Sequence, residues 1–152
     1  MFDPWQSAAE QQLRVYLADL GGLSGVTDGE HVWLSPDLTW VEARCTLAHE
    51  LEHITAGHIG HQSPAVEGWV RVRVARRLIP LERLLGHRDS QEHPATIAET
   101  LNVTLCVLRD RIRGLTLEER ARLYRREREG PSAARHESPP GGEPAMLDTM
   151  GA

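Results

Sequence analysis

Lysine is missing from this chain: all 17 basic residues are arginine. That excludes a lysine nucleophile or Schiff base, and it suggests a GC-rich coding genome. Cysteine is scarce. Cys45 and Cys106 lie far apart, so no disulfide framework can be read from them. No signal-peptide pattern and no apolar run of transmembrane length is visible. The expected setting is therefore the cytoplasm, with both thiols reduced and no membrane partner. A length of 152 residues allows one domain with room for a small appendage, and a real core.

The net charge of −5 is unevenly spread. Residues 1–60 hold nine acids against Arg14 and Arg44, whereas residues 105–128 hold eight arginines against four acids. A basic helical region can touch a phosphate backbone, but a mixed-charge helix more often faces water. The second reading carries more weight here.

The chain is organised around the stretch Thr39 to Thr55, which contains His49-Glu50-Leu51-Glu52-His53, a match to H-E-x-x-H. Residues four apart share a helical face, so His49 and His53 can direct two imidazoles to one Zn²⁺. Glu50 stays close to that point and can take a proton from water, then deliver it to a leaving amine. Thr39 and Glu42 form a T-x-x-E capping box that starts the helix, and Gly57 is a natural stop. Cys45, Ala48 and Leu51 give the helix an apolar face. The competing reading is a solvated helix face on which the motif has no chemistry.

Two further histidines, His58 and His61, follow. They miss the metzincin register, because position 56 is alanine where that motif needs glycine and position 59 is isoleucine where it needs histidine. They are expected to line the cleft or hold substrate, and neither is the first choice as a metal ligand. Ser63-Pro64 opens a helix to about Ile79, on which Glu67 shares a stripe with Val70, Val74 and Leu78. A carboxylate on an apolar stripe is costly unless neutralised. Either Glu67 complements the helix dipole or it is the third zinc ligand, and the ligand reading is favoured.

Elsewhere, Asp3-Pro4 should start an amphipathic helix through Leu20, ended by Gly21-Gly22. Leu23 to Leu34 reads as a hairpin turning at Asp28-Gly29, with a strand at His31–Leu34. His31 is expected to be an ordinary strand residue. Leu81 to Leu85 is a short helix. Thr96-Ile-Ala-Glu99 reads as a second capping box, opening a helix-turn-helix-like pair with a turn at Asn102 and Thr104 as the next N-cap. The second helix of that pair should bury Val107, Leu108 and Ile112. Its first turn offers Leu105 and Cys106 and no base-reading side chain, so direct DNA binding is not expected. Thr116 to Glu119 is a third box, starting a helix to about Arg128. Pro, Ser, Gly and Glu dominate from Gly130 on, as in a disordered tail.

Thr46 to His53, followed by Glu67 and the segment Val74-Ala-Arg-Arg-Leu-Ile-Pro80, resembles the ImmA/IrrE-type zinc metallopeptidases, most closely the short actinobacterial and phage versions. The resemblance covers roughly residues 25–85. It implies a zincin-like metallopeptidase core with a small sheet, His49, His53 and Glu67 as ligands, and Glu50 as the catalytic residue. It also implies a protein substrate, a transcriptional repressor of a phage or mobile element. The chain departs from the family at Glu52, where glycine is usual, and at Trp69 and Arg71, where relatives carry acids.

The expectation is an α+β, mainly α protein. Residues 1–88 would form the peptidase core, 89–128 a helix-turn-helix-like C-terminal helical region, and 129–152 the tail. The expected function is a zinc-dependent endopeptidase. The alternative is a non-catalytic regulatory protein that binds a repressor or DNA on a protease-like fold.

Overall fold

Asp3 and Pro4 do start a helix, but it lasts only two turns. In the computed structural model, which describes residues 1–125, α1 spans Pro4–Glu10, and the Asp3 carboxylate accepts from the Trp5 N–H at 2.9 Å. The helix expected to reach Leu20 stops because Gln12 is left-handed, with φ 57°. The Leu13 N–H then bonds the Ala8 carbonyl and the Gln12 N–H that of Ala9. This is a Schellman ending, normally marked by glycine. With glutamine there, the sequence carries no stop signal.

The residues after it form β1 (Arg14–Leu17), which pairs in parallel with β3 (His31–Leu34). The expected hairpin is present as β2 (Gly25–Thr27) antiparallel to β3, giving the sheet order β1-β3-β2. Val32 and Leu34 point inward and are fully buried. His31 and Trp33 alternate to the outer face, where Trp33 stacks with Tyr16 at 6.1 Å.

The central helix α2 (Trp40–Thr55) begins with the expected Thr39–Glu42 capping box. Its Leu47 and Leu51 pack with Ala8, Val32 and Leu34 against the sheet. Its Cys45 and Ala48 face α3 (Pro64–Leu78), where Val70, Val74 and Leu78 complete a second apolar cluster. Leu84 of α4 (Leu81–Leu85), Ala98 and Leu101 of α5 (Pro94–Leu101) and Leu108 of α6 (Leu105–Arg113) belong to that cluster too. The buried Arg44 ties the layers by donating to the carbonyls of Asn102 and Phe2.

Two further local expectations fail. Thr96 is not a cap: α5 starts two residues earlier, at Pro94, with the His93 ring accepting from the Ala95 N–H. Proline at the first helical position has no N–H to satisfy, and its φ suits the helix. Ile112 is not in the core but 38% exposed, because Arg111 takes the inward position. Arg111 donates to the Ile79 carbonyl at 2.8 Å and to Glu119 at 2.8 Å, which offsets the cost of burying its charge. The turn at Asn102, left-handed at φ 57°, and the Thr104 cap are as expected. The third box also holds, at the start of α7 (Leu117–Tyr124). The helix expected onward to Arg128 and the tail from 129 lie outside the described residues.

The described residues thus form an α+β fold, mainly helical, with seven helices and one three-stranded sheet. None of these helices is long and apolar enough to cross a membrane.

Candidate metal centre

One turn of α2 separates His49 from His53, and their rings meet edge to face with centroids 4.7 Å apart. Packing α3 on α2 through Val70, Val74 and Ala48 brings Glu67, in the first turn of α3, over both rings. The His49 Nε2 lies 3.0 Å from the His53 Nε2 and 3.2 Å from Glu67 Oε2, and the His53 Nε2 lies 3.5 Å from Glu67 Oε1. Zinc–ligand bonds of about 2.0–2.2 Å at tetrahedral angles put donor atoms about 3.3–3.6 Å apart. The three donor-to-donor distances lie at or slightly inside that spacing, and the three side chains form a group that could hold a single metal ion. Two imidazoles and one carboxylate also suit zinc chemically, and they leave a fourth position open.

Electrostatics support the same fit. Burial, then the neighbouring His53, lower the His49 pKa, which keeps the ring neutral with a lone pair to offer. Glu50 is buried, and desolvation, helped by the Glu67 charge, raises its pKa to about 7. A carboxyl poised near neutrality can both take and return a proton.

Glu50 and His49 stand where two cavities meet, each about 440 Å³. One runs over His53, His58, His61 and Glu67. The other runs between α2, α3 and α6 past Val74, Val107 and Cys106. Both border β2 at Gly25, a position the sequence did not single out. A Cβ there would lie 2.5 Å from Thr46 Cγ2 and 3.2 Å from Glu50 Oε1, so only glycine lets the strand approach this closely. Gly25→Ala should lower the thermal midpoint by an amount matching about 1–3 kcal/mol of overpacking. Thr46→Ser, which removes the clashing methyl, should recover most of it. A Gly25→Ala protein melting like the parent would refute this account of the contact.

The other predicted residues divide. His58 and His61 both line the first cavity. His58, however, also faces His53, its Nδ1 lying 3.1 Å from the His53 Nδ1. His31 is taken up by its own turn, with its ring 3.0 Å from Asp28 Oδ2. Glu52 is a further site-adjacent residue that sequence reasoning missed. It is 1% exposed and forms ion pairs with Arg73 and with Arg77 at 3.3 Å. Its place between the two motif histidines carried a hint. Its partners, 21 and 25 residues on, could not be found without the α2–α3 packing.

Fold and site together define a mainly helical α+β protein whose central helix and its neighbour assemble a two-histidine, one-carboxylate cluster in an open cleft. Comparison with protein-family models, with curated proteins and with solved structures finds no match to this chain.

Proposed function

We propose that this protein is a zinc-dependent endopeptidase with a zincin-like core, acting in the cytoplasm on a protein substrate. The observation that carries the reading is the convergence of the His49, His53 and Glu67 donor atoms at 3.0–3.5 Å beside a buried glutamate. His49, His53 and Glu67 would hold the ion. Zinc would supply Lewis acidity, polarising the scissile carbonyl and making water more acidic. Glu50 takes the proton of the attacking water on its carboxylate and passes it to the leaving amine nitrogen. β2 ends the sheet on the cleft side, so an extended peptide can add to its edge through main-chain hydrogen bonds and lie across Glu50.

The resemblance of the His49–His53 segment to the ImmA/IrrE-type peptidases adds a substrate class, a transcriptional repressor of a phage or mobile element. Direct DNA contact is not part of the proposal. Arg111 is buried against Ile79 and Glu119, Arg120 donates to the carbonyls of Leu115, Ile112 and Arg113, and Arg122 pairs with Glu82 at 2.7 Å. These three cations make contacts within the fold.

The test is metal content per chain after purification without added metal, for the parent beside His53→Ala and Glu67→Ala, followed by incubation with candidate repressors. About one zinc in the parent, lost in both variants, with repressor fragments formed only by the parent, is the expected outcome. Zinc bound with no fragments at any time would turn the reading into a non-catalytic binding protein. No zinc in the parent would remove the metal and the peptidase together.

A further inference from the structure

The end of α2 is built differently from an ordinary helix end. Gly57 is left-handed, with φ 69°. The Gly57 N–H bonds the Ile54 carbonyl at 3.0 Å, and the His58 N–H bonds the His53 carbonyl at 2.9 Å. This is again a Schellman motif, in which the residue after the left-handed one folds back onto the residue that starts the last turn. In this motif that contact is frequently between two apolar side chains. Here it is between two imidazoles, and one of them is His53, whose Nε2 belongs to the candidate metal cluster.

An imidazole offering its Nε2 lone pair to a metal must carry its proton on Nδ1. Among the described residues, the His53 Nδ1 meets the His58 Nδ1 at hydrogen-bond distance, 3.1 Å. The proton on His53 therefore sets the roles: the His53 Nδ1–H donates and the His58 Nδ1 accepts. Metal-ligating histidines are commonly oriented by such an acceptor on the second nitrogen, usually a carboxylate or carbonyl.

His58 is itself held from behind. Its ring meets Trp69 of α3 edge to face, with centroids 6.1 Å apart. The guanidinium of Arg73, one turn further along α3, lies over the Trp69 ring at 4.7 Å. Arg73 is anchored in turn by the buried carboxylate of Glu52. A continuous series of contacts thus starts inside α2 at Glu52, crosses to α3, and returns to α2 at His53.

We propose that His58 is a positioning residue for the metal ligand His53, and that Trp69 and Arg73, fixed by Glu52, hold His58 in place. The inference rests on the metal reading given above. It assigns to a histidine the orienting role usually filled by a carboxylate or carbonyl, and it explains why the segment after the motif turns on glycine and continues with histidine.

Metal binding, read without reference to cleavage, tests it. Full-length protein is stripped with chelator and titrated with Co²⁺, whose visible absorption reports coordination geometry, and with Zn²⁺ in competition. The parent should bind one Co²⁺ per chain. His58→Ala should weaken binding about 10–100-fold and alter the Co²⁺ spectrum, while the metal-free protein melts like the parent. His58→Asn should restore most of the affinity, because its side-chain oxygen can occupy the place of Nδ1 and accept the same proton. Trp69→Ala should lose part of the affinity, and Trp69→Phe, which keeps a ring against His58, much less.

Parent-like affinity and spectrum in His58→Ala would overturn the proposal. So would His58→Asn binding as weakly as His58→Ala, because ring packing rather than the hydrogen bond would then be what matters. A parent that binds no Co²⁺ or Zn²⁺ is a different failure, since it removes the metal centre itself and this proposal with it.

Discussion

Glu50→Gln is expected to lower cleavage by about 10²–10⁴-fold, the usual contribution of a positioned acid–base group, while zinc stays bound. Glutamine keeps the size and polarity of the side chain but cannot take a proton from water. A second effect should appear in the metal-free protein, with the opposite sign. Burial raises the Glu50 pKa from 4.5 to about 7, so the folded state favours the protonated carboxyl. The stability tied to that proton is complete below about pH 4.5 and is lost as pH rises through about 7. Glutamine has no such proton to lose. Metal-free Glu50→Gln should therefore be more stable than the metal-free parent at pH 8, by on the order of 3 kcal/mol, and no different at pH 4. Thermal melts at the two pH values, beside a cleavage assay at saturating zinc, measure both effects. Unchanged cleavage would remove Glu50 from the mechanism, and an unchanged stability gap between pH 4 and pH 8 would contradict its burial.

The second large effect concerns Glu52. Replacing both Arg73 and Arg77 by alanine leaves a carboxylate that is 1% exposed without either of its cationic partners. Breaking a buried ion pair from one side costs about 3–5 kcal/mol. Both arginines are partly exposed, so water can follow them into the gap and the lower end is expected. At this chain length that corresponds to a fall in thermal midpoint of roughly 6–12 °C. Arg77 also lies 3.9 Å from the Phe2 ring, so the N-terminal segment should loosen with it. Adding Glu52→Met to the double variant removes the stranded charge at similar volume and should recover most of the loss. A double variant melting within 2 °C or so of the parent would show that the pairs contribute little.

Much of the helical part was legible in the sequence because its signals are local. The Thr39, Ser63, Thr104 and Thr116 caps, the Pro64 start and the Asn102 turn each depend on atoms a few residues apart. The same locality made the hairpin readable from Asp28-Gly29, and it put His49 and His53 on one helical face. Where a local signal was weak, the expectation failed. Gln12 holds a left-handed turn without glycine's freedom, so α1 seemed on periodicity to continue into what is β1. Arg111 carries no mark of being a core residue until Ile79 and Glu119 are seen around it.

The sequence by itself determined an α+β, mainly helical chain, with two histidines and a glutamate on one helix and a candidate third ligand on the next. Tertiary packing alone decided that Glu67 reaches both histidines, that β2 closes on Glu50 through Gly25, and that Glu52, Arg73 and Trp69 stand behind His58. The physical reason is range. Helix caps and helical faces are fixed by bonds and spacings within a turn or two, whereas a cluster drawn from α2, α3 and the sheet exists only once apolar burial has set the distances between them.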